Sequence, residues 1–349
     1  MSQHANTRGR SSAGASKSSR RRRAARWARV ALAAAPVLGA GAVAAPAVAQ
    51  NRGGQAKYSF ETLDNNADNT FNQLLGINDH GLIAGYFGSG LQGHPNQGYL
   101  LSAPYGQGSY HSENWPQSVQ TQVTGLNNHG VTVGFWSTMN NAGVGNNPPV
   151  NDNRAFVSFH GYFLDADFPT DMPASPPVDQ LLGVNDNDIA VGFYTDANGN
   201  NHAYSYNIRR NSYTELTPSG ISSPTAAAIN NKGDIAGFGS DSSGATVGYL
   251  LKRDGNVTVL NVPGSSSTSA TGINDQDEVV GVYMVGTGSS AVMHGFTWTP
   301  RWGFQTVDDP HGVGATTING VNDKGQLVGF YTDSSGNTDG LLATPQHHS

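Results

Sequence analysis

The sequence predicts an all-β fold: a six-bladed β-propeller with four strands in each blade. Three observations support this prediction. Short apolar and aromatic runs alternate with turn residues, and the chain has 45 glycines and only 13% charged residues, as is typical of many short strands joined by turns. One ten-residue motif occurs six times. A strand missing after the last copy is matched by a segment near the other end of the chain.

The repeated motif consists of a small residue, an apolar residue, Asn, a turn, and an apolar run that ends in Gly. The copies are GINDHGLIAG from Gly76, GLNNHGVTVG from Gly125, GVNDNDIAVG from Gly183, AINNKGDIAG from Ala228, GINDQDEVVG from Gly272 and GVNDKGQLVG from Gly320. A β-rich repeat with a period of roughly 40 to 50 residues predicts propeller blades.

Each part of the motif has a mechanical reason. Asn followed by Asp or Asn opens a tight turn, because these side chains hydrogen-bond the backbone just ahead. The sixth position is Gly in four copies and Asp188 or Asp277 in the others. Because Asp is among the few residues that tolerate a positive φ, this exchange predicts a positive φ there. The closing glycine, Gly85 in the first copy, is expected to leave room for a neighbouring backbone or aromatic ring.

The last repeat lacks a fourth strand. Third strands such as GFTWT and fourth strands such as FQTVDDP follow the motif, but the sixth repeat stops after its third strand at Pro345. The segment YSFETLD, from Tyr58 to Asp64, matches GFQTVDD. We expect it to pair as the outermost strand of the last blade, which closes the ring and limits exposed edges. A solenoid or β-helix is the competing architecture, and it would not need this match.

The first 49 residues have the pattern of a signal peptide. The basic run RRRRAARWAR precedes an apolar, Ala-rich stretch, and Ala47-Val48-Ala49 is a small-x-small cleavage site before Gln50. We therefore expect export to the periplasm or the exterior, by the Sec or the twin-arginine route. A membrane-anchoring helix is the alternative, and Pro36 and Pro46 disfavour it. The predicted organisation is signal peptide 1–49, linker 50–56, propeller 57–345 and tail 346–349.

The charge is divided unevenly along the chain. Residues 1–49 hold nine of the 19 Lys and Arg residues and no Asp or Glu, so the remainder has 10 basic against 25 acidic residues, a net formal charge of −15. Such a domain should repel nucleic acid and anionic membranes, which leaves cations, neutral sugars and basic proteins as partners. The absence of Cys excludes disulfides, zinc–thiolate sites and cysteine nucleophiles.

Two segments resemble a known repeat. NGVNDKGQLVGFYTDSSGNTDGLLATP (Asn319 to Pro345) and GVNDNDIAVGFYTDANGNNHAYSY (Gly183 to Tyr206) are similar to the HAF-type extracellular repeat of exported bacterial proteins. The second segment keeps the His-Ala-aromatic core of that repeat, beginning at His202. The resemblance covers nearly the whole chain after residue 49. It implies an extracellular location and a repeat fold, and it brings no established activity or catalytic residue.

Candidate binding residues lie on one face of the predicted propeller. The turns between first and second strands define the turn face, whereas the loops between second and third strands and the blade-to-blade connections define the loop face. The ND and NN turns are nearly uniform, but the loops vary. Since binding tends to reside in variable loops on a rigid scaffold, we predict a ligand site on the loop face. The candidate residues are Trp115, Trp136, Asp196, Asn198 and Asp333. Stacking on sugar rings and packing in the core are both open for the two tryptophans.

A calcium loop is a further candidate. Asp196, Asn198 and Asn200 have the alternating spacing of oxygen ligands, although the Gly and the distant Glu of an EF-hand are missing. A plain hairpin turn is the alternative. His202 and His294 are repeat positions, and we expect them to be packed or hydrogen-bonded. No cofactor other than calcium is expected.

The sequence favours a binding module over an enzyme. It has no H-E-x-x-H or G-x-S-x-G motif, no phosphate-binding loop and no dinucleotide fingerprint. We expect a secreted, monomeric binding or interaction module without a membrane span in the mature chain, whose partner is a glycan or a cell-surface protein. The alternative is a propeller enzyme, such as a lyase, lactonase or glycosidase, with a calcium ion on the axis.

Overall fold

The computed structural model describes residues 58–91, 93–138, 152–170 and 173–346. These residues form six antiparallel sheets of four strands each, which confirms the predicted six-bladed β-propeller. The predicted signal peptide and linker lie outside the described residues, as does most of the predicted tail. No helix among the described residues has the length and apolar character needed to cross a membrane.

Each blade runs from an innermost first strand to an outermost fourth strand. The first strands are β2 (Asn72–Ile77), β6 (Gln120–Leu126), β10 (Asp179–Val184), β14 (Ser222–Ile229), β18 (Ser267–Ile273) and β22 (Thr316–Val321). The second strands are β3 (Ile83–Phe87), β7 (Val131–Ser137), β11 (Ile189–Thr195), β15 (Ile235–Ser240), β19 (Val279–Val285) and β23 (Leu327–Thr332).

The two outer positions complete the blades. The third strands are β4 (Gln97–Leu101), β8 (Arg154–Phe159), β12 (Asn201–Asn207), β16 (Thr246–Leu251), β20 (Val292–Thr299) and β24 (Thr338–Pro345). The fourth strands are β5 (Tyr110–Ser112), β9 (Tyr162–Asp165), β13 (Ser212–Leu216), β17 (Val257–Leu260), β21 (Gly303–Val307) and, for the sixth blade, β1 (Tyr58–Thr62). Two short 3-10 turns lie at Gln107–Ser109 and Gly288–Ser290.

The motif turns have the predicted backbone. The sixth motif position has φ of 79° at Gly81, 57° at Asp188 and 62° at Asp277. These values confirm the positive φ that the exchange between Gly and Asp predicted. The prediction that the closing glycine leaves room for a neighbouring backbone and aromatic ring is also confirmed. A Cβ added to Gly85 would lie 2.4 Å from the carbonyl oxygen of Gln73 and 3.0 Å from the hydroxyl of Tyr99.

The small residue that opens each motif allows the first strands to meet around the axis. Every first strand has a β-bulge just before or at this residue, and a bulge bends and twists a strand. A Cβ added to Gly125 would lie 3.0 Å from the Cα of Gly183, and one added to Gly183 would lie 2.9 Å from the Cα of Ala228. Neighbouring first strands therefore touch backbone to backbone, which only Gly or Ala permits.

The hydrophobic core lies between adjacent blades. One cluster joins Val133 and Val157 of the second blade to Leu181 and Tyr204 of the third, and all four are at most 1% exposed. Large aromatic residues of the third strands fill these layers. They include Tyr99, Phe156, Tyr204, Tyr249 and Phe296. Each blade is thus stabilised mainly by its neighbours.

The sixth blade contains both Tyr58–Thr62 and the last three strands. β1 pairs antiparallel with β24, with Tyr58 opposite Pro345 and Thr62 opposite Leu341. Tyr58 and Phe60 pack against the apolar cluster around Ile318, and Thr62 Oγ1 lies 2.9 Å from the hydroxyl of Tyr331. The outer strand of this blade therefore covers apolar surface as well as the edge of β24.

Deleting residues 57–64 should uncover this surface and leave β24 as an unpaired edge. We expect the truncated protein to lose several kcal/mol of unfolding free energy and to aggregate. Phe60→Ala should lower the melting temperature, whereas Ser59→Ala, at an exposed position of the same strand, should change it little. Thermal melts of the three variants test this, and a deletion variant as stable as the parent would show that β1 does not hold the sixth blade.

Candidate functional site

The six motif turns converge on the axis at the turn face. They form a shallow, open dish that is lined by the same three motif positions from every blade. In the first blade these are Ile77, Asn78 and Asp79. We call the third of these positions the axial ring; its members are Asp79, Asn128, Asp186, Asn231, Asp275 and Asp323.

Two closed circles of hydrogen bonds join the turns. The backbone N–H of each axial-ring residue donates to the side-chain Oδ1 of the next, over 2.7–2.9 Å, and the N–H of Asp323 donates to Asp79. The preceding Asn residues form the second circle, in which Nδ2 donates to the backbone carbonyl of the next Asn over 2.9–3.1 Å. Each motif turn is therefore bonded to the turns on both sides of it.

The outer oxygens of the axial ring are bridged by the two asparagines. Asn128 Nδ2 donates to Asp79 Oδ2 at 2.7 Å and to Asp186 Oδ2 at 2.9 Å. Asn231 Nδ2 donates at 3.0 Å to Asp186 Oδ2 and to Asp275 Oδ2. These amides separate three carboxylates that would otherwise repel one another.

Carboxylates and amides alternate around the axial ring except at Asp323, which stands between Asp79 and Asp275 without an amide on either side. Partial burial and the charges of the neighbouring carboxylates raise the pKa of Asp323. The ring thus holds one carboxylate whose charged form is disfavoured by its neighbours. Within the described ranges, no group of three or more His, Cys, Asp or Glu residues is arranged to hold a metal ion.

The two predicted tryptophans are in contact. Trp115 lies on the connection between β5 and β6, and Trp136 lies near the end of β7. Their rings stack at 4.8 Å with an interplanar angle of 3°. Phe168 and Tyr194 form the same contact in the next blade, at 4.6 Å and 14°. This pairing is therefore a repeat feature of the blade-to-blade connection, and each tryptophan covers one face of the other.

The Asp196 segment is a hairpin turn closed by its own side chain. Asp196 Oδ1 accepts the backbone N–H groups of Asn198 and Asn200 at 2.8 and 2.9 Å, and Oδ2 accepts Asn200 Nδ2 at 3.2 Å. Partial burial acts to raise the pKa of Asp196, but hydrogen bonds from Asn200 and His202 outweigh it and hold the pKa well below its usual range. Asp333 closes the corresponding turn of the sixth blade.

The predicted site residues do not form one site. The tryptophans belong to the second blade, Asp196 and Asn198 to the third, and Asp333 to the sixth. The first blade stands between the tryptophans and Asp333, and Asp196 lies across the axis from Asp333. If they bind, they bind at different places on the loop face.

The structure shows a different arrangement on the loop face, in which an aromatic residue, a basic residue (Arg or His) and a carboxylate come together. We call each of these groups a trio. The aromatic residue and the basic residue lie directly opposite each other on the second and third strands, and the carboxylate follows 13 or 14 residues later on the fourth strand or just after it. The trios are Trp136–Arg154–Asp167 in the second blade, Tyr194–His202–Glu215 in the third and Tyr283–His294–Asp308 in the fifth.

The two histidine trios have nearly the same geometry. His202 Nδ1 lies 2.7 Å from Glu215, and His294 Nδ1 lies 2.7 Å from Asp308. The imidazole of His202 stacks on Tyr194 at 4.8 Å, and that of His294 stacks on Tyr283 at 5.2 Å. The expectation that these histidines are packed and hydrogen-bonded is thus confirmed, but their carboxylate partners were missed.

The arginine trio is more open. Arg154 Nη1 lies 3.3 Å from Asp167, and the side chain of Arg154 is 39% exposed. Burial raises the pKa of Asp167 to about 6, partly offset by the hydrogen bond from the backbone of Ala155 and by the charge of Arg154. The other three blades have no Arg, Lys or His at this position; Gln97, Val247 and Asp339 stand there.

A buried carboxyl group lies behind the third-blade trio. Asp179 Oδ1 accepts the hydroxyl of Tyr204 at 2.6 Å, and Oδ2 accepts the backbone N–H of Phe168 at 2.6 Å. Burial raises the pKa of Asp179 to about 8. Thr121 and Thr268 accept the corresponding connection N–H groups with their hydroxyls, so the position is a structural clamp between blades.

No family model and no curated protein matches the chain. Among solved structures, it is similar to the SapL1 lectin in complex with alpha methyl fucoside, with 9% identity over 80% of this chain and 93% of the lectin, and a TM-score of 0.48. The six-bladed Aleuria aurantia lectin matches with 10% identity over 78% of this chain and 89% of the lectin, at a TM-score of 0.45. TolB from Acinetobacter baumannii matches with 11% identity over 72% of this chain and a TM-score of 0.44, and the match spans only 61% of TolB.

Asp323→Asn should stabilise the protein. An amide there can donate to Asp79 and Asp275 as Asn128 and Asn231 donate to their neighbours, which should add about 1 kcal/mol to the unfolding free energy at pH 7. Because the folded-state pKa of Asp323 is raised, its contribution is most favourable when it is protonated and is lost as the pH rises through its titration. The advantage of the variant should therefore grow between pH 4 and pH 7.

Asp186→Asn is the matched control. It replaces the carboxylate oxygen that accepts hydrogen bonds from Asn128 Nδ2 and Asn231 Nδ2 by an amide NH2 group, which cannot accept them. It should lower the unfolding free energy by about 1–3 kcal/mol. Thermal melts of both variants across this pH range test the ring. A change of the same sign in the unfolding free energy of both variants would contradict this account of the axial ring.

Proposed function

We propose that the protein is an exported binding module for neutral glycans and that its sites are the three trios of the loop face. The observation that carries this proposal is the repetition, in three blades, of one partly exposed arrangement of an aromatic, a basic and an acidic side chain. The other three blades have the same strands without the basic residue. The N-terminal pattern and the resemblance to the HAF-type repeat support export.

The trios have the chemistry that a sugar needs. A sugar hydroxyl is both a donor and an acceptor, and a basic side chain beside a carboxylate offers it both partners. The carboxylates of Glu215 and Asp308 are 44% and 39% exposed, and the side chain of His202 is 31% exposed. In the two histidine trios the stacked tyrosine ring holds the imidazole in place, which reduces the entropy lost on binding.

The charge of the trios favours neutral sugars. Each basic residue already faces one carboxylate, and His202 faces a second, because its Nε2 lies 3.2 Å from Asp196 Oδ2. Burial acts to lower the pKa of His202, but Glu215 and Asp196 outweigh it and raise the pKa. Since a carboxylate stands beside the basic residue of every trio, an anionic sugar would gain little at these positions.

Three similar sites on one ring suit a repetitive ligand. Each site is shallow, so a single sugar should bind weakly. A polymer or a cell surface that engages two or three sites gains avidity from the effective concentration of the second and third contacts.

Binding to arrays of immobilised neutral oligosaccharides tests the proposal. Arg154→Ala, His202→Ala and His294→Ala should each lower the avidity, by roughly two- to tenfold, and the triple variant should not bind. Gln97→Ala changes the equivalent position of the first blade and is the matched control, so it should bind like the parent protein.

Two results would contradict the proposal. A triple variant that binds with the parent avidity would remove the trios as the site. Failure of the parent protein to bind any neutral glycan, while its melting curve shows a folded domain, would remove the ligand class.

A further inference from the structure

The cations of the protein are concentrated on one face. The described residues include eight Lys and Arg residues, and seven of them lie in turns of the turn face, either between first and second strands or between third and fourth strands. They are Arg209, Arg210, Lys232, Lys252, Arg253, Arg301 and Lys324. The eighth, Arg154, lies on the loop face.

Three of the seven cations have carboxylate partners. Arg209 lies 2.6 Å from Asp188, Lys232 lies 3.1 Å from Asp277, and Lys252 lies 2.8 Å from Asp234. The other four make no ion pair with any described residue, and all four are exposed. We call them the cationic arc, because they occupy four consecutive blades: Arg210 in the third, Arg253 in the fourth, Arg301 in the fifth and Lys324 in the sixth.

The arc is distinct from the acidic parts of the molecule. On the loop face, Arg154 is paired with Asp167 and lies 3.9 Å from Asp152, so no described Lys or Arg is free there. The axial ring lies at the centre of the turn face, whereas three of the four arc residues belong to turns between third and fourth strands, farther from the axis. The described turns between third and fourth strands hold five Lys and Arg residues against one carboxylate, that of Asp254, so the periphery of this face is cationic although the net charge is strongly negative.

An exposed aromatic ring lies within the arc. Trp302 is 45% exposed, and the guanidinium carbon of Arg301 lies 4.5 Å from the centroid of its ring. Such a cation over an aromatic face combines an apolar platform with a positive charge. The side chain of Arg253 packs over the motif turn of its own blade, since its Cδ atom would lie 3.4 Å from a Cβ added to Gly233.

We infer that the cationic arc binds an acidic polysaccharide, with sugar carboxylates on the cations and a sugar ring against Trp302. Trp302 and Arg301 present a flat apolar face and a positive charge side by side, which suits a sugar ring that carries a carboxylate. Double-stranded DNA has a charge about every 1.7 Å along its axis, and its charge would also face the axial ring. Anionic membranes are recognised by dense clusters of about four to eight cations, and the arc has no such cluster. This site lies on the face opposite the trios and goes beyond the proposed function.

Titration with polygalacturonate tests the inference, with the fully methyl-esterified polymer as the uncharged probe. Binding should weaken as salt is added. Arg210→Ala, Arg253→Ala, Arg301→Ala and Lys324→Ala should each weaken binding, by roughly two- to fivefold, and the quadruple variant should lose it. Trp302→Ala should weaken binding as well. Lys232→Ala removes a paired charge from the same face, where Asp277 keeps Lys252 as its partner at 3.1 Å, and it should bind polygalacturonate like the parent.

Four results would overturn the inference. They are parent-like binding of polygalacturonate by the quadruple variant, a loss of methyl-esterified polymer binding in that variant as large as its loss of polygalacturonate binding, tighter binding of single-stranded DNA or of phosphatidylglycerol vesicles, and loss of self-association, measured by light scattering at low salt, as the only effect of the arc substitutions. Neutral glycan binding by the trios should be unchanged in the quadruple variant, so failure of this inference is distinguishable from failure of the proposed function.

Discussion

A ring of blades has to satisfy the polar backbone groups of its innermost turns at a place where six chain segments meet. Buried N–H and C=O groups that lack partners are costly, and the strands touch too closely for large side chains to intervene. The motif solves both problems together. Its small residue lets neighbouring backbones meet, as Gly125 and Gly183 do, and its Asn and Asp side chains bond the turn of the next blade.

This arrangement makes the turn face uniform at its centre and leaves the periphery free to vary. The two circles of hydrogen bonds use the same atoms in every blade, so a change in one blade must be compatible with both neighbours. Asp323 is the ring carboxylate that stands between two others, and partial burial and the charges of its neighbours raise its pKa. Farther out, the blades differ widely. The trios occur in three blades and the cationic arc in four, and neither is needed to close the ring.

Much of the fold could be predicted because its signals are local. Asp188 and Asp277 in place of Gly indicated a left-handed turn residue within one motif, and the match of YSFETLD to a fourth strand needed only the repeat. The partners across blades could not be predicted in the same way. Asp323 and Asp79 are 244 residues apart, and their contact depends on the number of blades and on the register at the axis.

The candidate site was harder to predict than the fold. The tryptophans were identified by residue type alone, and the structure shows that Trp115 and Trp136 stack on each other at a repeat position that Phe168 and Tyr194 also occupy. The trios had a detectable signal, since each basic residue precedes its carboxylate by 13 or 14 residues. That spacing becomes meaningful only when the third strand is known to lie beside the fourth.

Amide hydrogen exchange of the axial ring tests the central claim most directly. If the two circles of hydrogen bonds hold the six blades together, the N–H groups of all six axial-ring residues should exchange only through global unfolding and with the same free energy. The N–H of Asp323 is the most informative, because its bond to Asp79 joins the last motif to the first. Fast exchange of this amide by local opening, while the other five stay protected, would show that the ring is not closed by these bonds.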